Sequence, residues 1–280
     1  MMNTSTQHDL SPHRHISFTA HYTGYIWYLL GISHPALASR KGKRLASFLH
    51  PLETLAERFV GGSMRSTLRQ RHQLIDRELN NLISQYPNLQ VVEIAAGLSP
   101  RGWRYRQQYP NISYIEMDLP DMATAKRQAL AAIDPQATII GVDLFSSAFK
   151  QHIQALDHQR PLVIISEGLV NYFNKDMLSQ LWQSFSSVLA EFKAGYYISD
   201  IYPEPIKHKL AKLIWNSSKL LKVLSKSAFA FHFQSPTEAK DFLINAGFKT
   251  IDVYQPKDDN NNQYAEHLGD LVWVFTAKAS

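Results

Sequence analysis

From residue 88 onward the chain keeps one rhythm, short apolar runs separated by polar stretches of helical period, and this restricts the fold more than any other feature. Leu89–Ala95, Ile112–Met117, Thr138–Val142, Leu162–Ser166 and Tyr196–Ile201 each read as a buried strand. Between the last two, Leu178, Leu181, Trp182, Phe185, Val188, Leu189 and Phe192 recur at helical spacing. Strands that alternate with amphipathic helices need crossover connections, which predicts an α/β fold with a mainly parallel sheet covered on both faces. Two further strands are expected at Phe248–Tyr254 and Leu271–Thr276, joined by the polar loop around Asp258–Gln263. Before them, Ser235-Pro236-Thr237-Glu238 is a capping box with proline at the first helical position, and Gly247 supplies the stop.

The rest of the chain is organised around this core. Residues 1–20 read as a flexible tail, polar and containing Pro12. Its histidines His8, His13 and His15, with His21, have no fixed scaffold and only Asp9 as a nearby acid, so no metal is assigned. Residues 21–87 read as a helical cap: Leu74, Ile75, Leu79, Leu82 and Ile83 form one apolar face and Pro87 ends it. Residues 88–280 form the core, with a helical insert at 203–234. Within that insert, Pro205–Lys226 bears an apolar stripe and Lys207, Lys209, Lys212, Lys219, Lys222 and Lys226, with no acid between Glu204 and Glu238. A solvated helix, a lid that draws anionic substrates and a surface for anionic lipid are its three readings.

Composition excludes several chemistries. The chain has no cysteine, so disulfides, thiolate catalysis and thiolate metal sites are out. No apolar run approaches the ~18–20 residues of a membrane span, and the N-terminus lacks a signal core, so a cytoplasmic protein is expected. The formal charge of +5 favours anionic partners weakly, without the signature of a nucleic-acid binder.

In an open parallel sheet the ligand lies beyond the carboxyl ends of the strands. Here those ends are acidic: Glu93 in VVEIAAGL, Asp118 in YIEMDLP, Asp143 in GVDL and Glu167 in SEGLVNY. Asp118 follows Gly97 by 21 residues, the interval at which α/β nucleotide sites place an acid on the ribose hydroxyls. No GxGxxG pattern or Walker lysine is present, which argues against dinucleotides and ATP. A ligand with a ribose, an amine and a cationic centre suits a carboxylate rim; S-adenosylmethionine (AdoMet) is such a ligand.

The order EIAAGLSPRGWR, EMDLP, VDL, SEGLVNYF resembles the leucine carboxyl methyltransferase family of AdoMet-dependent O-methyltransferases, which includes protein-phosphatase and polyketide-type carboxyl methyltransferases. The likeness runs from about Arg65 to Phe192, and more loosely through HYTGYIWY and FLINAGF. It implies a class I methyltransferase core, Rossmann-like, with a seven-stranded sheet, an N-terminal helical cap and an inserted helical lid. It also implies site roles. Arg69 would bind the AdoMet carboxylate, with Arg71 the alternative. Glu93, Ala95 and Gly97 would line the methionine and ribose side, and Asp118 would take the ribose hydroxyls. Asp143 and Leu144 would hold the adenine, and Glu167 would face the amino group. Tyr172 and Tyr25 would look into the acceptor pocket. Ala95 departs from the family, standing where a Gly-x-Gly turn usually has glycine.

The expected reaction is in-line methyl transfer to a carboxylate of a small molecule or peptide terminus, which is already ionised near neutral pH and needs no base. A phenol or hydroxyl acceptor would need one. His21, His50, His208 and His232 are available, but no pattern selects among them, so no catalytic residue is assigned. The competing classes are a non-catalytic AdoMet-binding protein of the same fold and a nucleotide-dependent oxidoreductase. Nucleic-acid methylation lacks support, because no NPPY-type tetrad occurs.

Overall fold

The computed structural model describes residues 17–60, 64–204, 230–256 and 272–280. The histidines His8, His13 and His15, the insert Pro205–Lys226 and the loop Asp258–Gln263 lie outside these residues.

Seven strands form one sheet: β1 (Gln90–Ile94), β2 (Ser113–Asp118), β3 (Thr138–Gly141), β4 (Leu162–Ser166), β5 (Gly195–Ile201), β6 (Thr250–Tyr254) and β7 (Trp273–Lys278). Their order across the sheet is β3-β2-β1-β4-β5-β7-β6, and only β7 runs antiparallel to its neighbours. The chain builds outward from β1 to β3, then returns to β4 on the other side of β1. This reversal opens a crevice at the carboxyl ends of β1 and β4. All seven expected strands form, β4 with the expected bounds and the others with ends shifted by at most two residues, because each apolar run is long enough to bury.

Successive strand residues point to opposite faces, so each face has its own core. On one side Val91, Val163, Ile165 and Ile198 pack against Leu74, Ile75, Leu79 and Leu82 of α3 (Met64–Gln85). On the other, Val92, Ile94, Met117 and Ile164 pack against Leu181, Trp182 and Phe185 of α7 (Lys175–Leu189).

Helices α4 (Arg101–Gln108) and α5 (Pro120–Leu130) cross over on the α3 face, and α6 (Ser147–Gln154) lies beside α7. The capping box opens α8 (Pro236–Asn245): Glu238 N–H donates to Ser235 Oγ at 3.2 Å, and Glu238 Oε2 accepts from Gln234 N–H at 2.9 Å. Gly247 stops it with φ +101°, a conformation open to glycine.

Ahead of the sheet stand α1 (Ser17–Leu29) and α2 (Arg40–Val60). Residues 17–20, assigned to the tail on sequence, are the first turn of α1. Helix α1 packs on α2 through Tyr22, Ile26 and Ala46, and Ala20 reaches the turn after β1. No helix among the described residues is long and apolar enough to cross a membrane.

Candidate active site

The turn after β1 sets the floor of the site. Ala95 and Gly97 both take positive φ, +48° and +47°. Glycine adopts this conformation freely, while alanine there is strained. The turn aims the Gly97 N–H at Asp118 Oδ2, 2.6 Å away, and the Leu119 N–H reaches Oδ1 at 2.7 Å. Burial pushes the Asp118 carboxyl up, and these two amides partly oppose it. At the end of β3, Asp143 Oδ1 accepts from the Phe145 N–H at 3.0 Å.

Beyond β4 lies a buried ionic cluster. Arg101 is fully buried; its Nε donates to Asp76 at 2.6 Å, Nη1 to Glu93 at 2.7 Å and Nη2 to Glu167 at 2.6 Å. His72 Nδ1 stands 2.8 Å from Glu167 Oε2, and Arg71 Nε donates to Glu167 Oε1 at 3.0 Å. Burial alone would raise the Glu167 carboxyl, but His72, Arg101 and Arg71 hold it well below the usual carboxylate range. Asp76 is lowered in the same way, burial being outweighed by His72, Arg101 and Arg104. Arg71 also donates to Tyr202 Oη at 3.2 Å and lies 3.6 Å from Asp200. Asp200 accepts from the Gly168 N–H at 2.6 Å, and burial raises its carboxyl.

A pocket with about 990 Å³ of empty space, its open mouth included, joins these groups. Glu93, Ala95, Gly97, Asp118, Asp143, Leu144, Glu167 and Tyr172, all singled out on sequence, line it together. Arg69 and Tyr25 do not. Helical phase is the reason in both cases. The inward face of α3 presents Leu68, Arg71, His72 and Ile75, and Arg71, the sequence alternative, lines the pocket while Arg69 sits half-buried to one side. On α1 the lining residues are Thr19, Ala20, Thr23 and Trp27, whereas Tyr25 turns toward Tyr28 and the α1–α2 contact.

Sequence reasoning missed Arg101, His72, Asp76, Asp200 and Tyr202. Arg101 lay inside a quoted motif, but nothing local marks an arginine for burial. Of the candidate histidines, the three among the described residues do not line the pocket: His21 bonds Ser39, His50 is exposed on α2 and His232 is buried elsewhere; His208 lies outside the described residues. Among the described residues, no three His, Asp or Glu side chains are placed to hold a metal ion.

The leucine carboxyl methyltransferase family profile matches residues 33–186, more than half of the chain. The chain belongs to that family. Its members use AdoMet, and family and fold together are those of an AdoMet-dependent methyltransferase. Among solved structures, a candidate methyltransferase from Thermobifida fusca matches with 13% identity and TM-score 0.60, over 91% of this chain and 93% of that one. The CMeT domain of the citrinin polyketide synthase matches with 16% identity and TM-score 0.58, over 86% and 57%. A candidate O-methyltransferase from Nostoc punctiforme matches with 14% identity and TM-score 0.50, over 76% and 57%. At these identities the likeness is one of fold. The chain spans about half the length of the first solved structures it matches. No curated protein matches its sequence.

Proposed function

We propose that the chain is a carboxyl O-methyltransferase, with residues 88–280 as its AdoMet-binding core and the helices before them as a cap over the acceptor. The residues present suit the cofactor. Arg71 offers a guanidinium for its carboxylate, Asp118 a carboxylate for its ribose, and Asp143 with Leu144 an acid beside an apolar surface for its adenine. Glu167 serves chiefly to hold Arg71, since Arg71, Arg101 and His72 already occupy it. When bound, AdoMet supplies an electrophilic methyl group on a sulfonium centre.

One observation carries the choice of a carboxylate. Among the described residues, no histidine or lysine lines the pocket, and the lining acids are engaged by backbone amides, arginines or Tyr114. A phenol would find no ready base there, whereas a carboxylate needs none. Thr19, Thr23, Trp27 and Tyr172 then position the acceptor and exclude water, so alignment is the protein's main contribution.

The test is methyl transfer from labelled AdoMet to a panel of small and peptide-terminal carboxylates and of phenols. The proposal expects a product that mild alkali cleaves to methanol, as an ester is. An alkali-stable methyl ether would instead establish a phenol or hydroxyl acceptor.

A further inference from the structure

Helix α2 carries four exposed cations in its first two turns: Arg40, Lys41, Lys43 and Arg44. Among the described residues none of the four has an ion-pair partner. The sequence between Asp9 and Glu53 contains no acid, so none of the four has an acidic neighbour close by in sequence. At 100° per residue, Arg40, Lys41, Arg44 and Phe48 share a sector of about 100°. Gly42, Leu45, Ala46 and Leu49 occupy the opposite side, where Ala46 packs with Tyr22 and Ile26 of α1.

Phe48 is 72% exposed, and Leu29 at the end of α1 is 46% exposed. A single exposed apolar side chain is ordinary. A phenylalanine one turn beyond a cluster of cations, on the same helix face, is the pattern of a surface that meets lipid: cations at the headgroups and an aromatic ring below them. Because α1 stands between α2 and the pocket, contact on this face leaves the pocket uncovered.

We propose that the outer face of α2 docks on an anionic bilayer surface, with Arg40, Lys41 and Arg44 at the headgroups and Phe48 at the acyl boundary. A nucleic acid would also engage the cations, but it offers no apolar layer for Phe48 to enter.

The experiment is co-sedimentation of the full chain with vesicles of phosphatidylcholine alone or with phosphatidylglycerol added, at low and high salt. Binding should require phosphatidylglycerol and weaken with salt. The double variant Lys41→Gln/Arg44→Gln should lower partitioning roughly 30-fold, and Phe48→Ser should lower it several-fold. Lys150→Gln/Lys249→Gln, the same charge change on exposed residues elsewhere, should leave it unchanged. Equal loss in both double variants, no binding to anionic vesicles, or binding to an RNA oligonucleotide in place of vesicles would each overturn the proposal. Unchanged AdoMet affinity in the α2 variants confirms that they are folded.

Discussion

The Arg71 guanidinium lies against the backbone of Gly168, so close that a Cβ at residue 168 would stand 2.9 Å from Nη1. Gly168 also has φ +70°, which disfavours any side chain. Gly168→Ala should therefore cost roughly 1–2 kcal/mol of stability and also weaken AdoMet binding by displacing Arg71. Thermal unfolding and calorimetry check the two effects. Full cofactor affinity in the folded variant would show that Arg71 does not touch the ligand.

Arg101 joins Asp76, Glu93 and Glu167, which come from α3, β1 and the end of β4. Arg101→Met leaves three buried carboxylates short of their shared cation, and breaking a buried pair typically costs ~3–5 kcal/mol. Denaturant unfolding should show a loss of that order. A loss below ~1 kcal/mol would mean that the cluster relaxes or takes up protons without penalty.

Acid should act in two stages. Asp118 has a raised carboxyl, so it takes up a proton above the ordinary aspartate range, and AdoMet affinity should fall there first. Glu167 and Asp76 have lowered values; the stability they contribute is present above their unfolded values near 4 and is lost as pH falls through the folded ones. Calorimetry and thermal unfolding across about pH 3–7 should separate the stages, and Asp118→Asn should remove the first. Simultaneous loss of affinity and fold would contradict this order.

Ala95 holds φ +48°, a conformation that glycine adopts far more readily than alanine. Ala95→Gly should relieve strain and stabilise the chain by about 0.5–1 kcal/mol, the strain outweighing the added freedom of the unfolded state. A lower unfolding temperature would show that the turn tolerates alanine without strain.

The strands were legible because each apolar run is short, buried and bounded by polar chain. Their acidic ends were legible because parallel strands bring successive carboxyl ends to one rim. The choice between Arg69 and Arg71 was not, because it depends on which face α3 turns to the sheet. Tyr25 lies off the pocket for the same reason on α1. Arg101 was hidden because its burial depends on Asp76, Glu93 and Glu167 converging from separate elements, which no local pattern records.

The most direct test of the site is calorimetric titration of AdoMet into the parent chain, Arg71→Gln and Arg69→Gln, with NAD as a control ligand. The account predicts that the parent binds AdoMet and not NAD, and that Arg71→Gln loses roughly 1.5–3 kcal/mol of binding, the range for a hydrogen bond to a charged group. Arg69→Gln should bind like the parent. Loss of affinity in Arg69→Gln with none in a folded Arg71→Gln would contradict it.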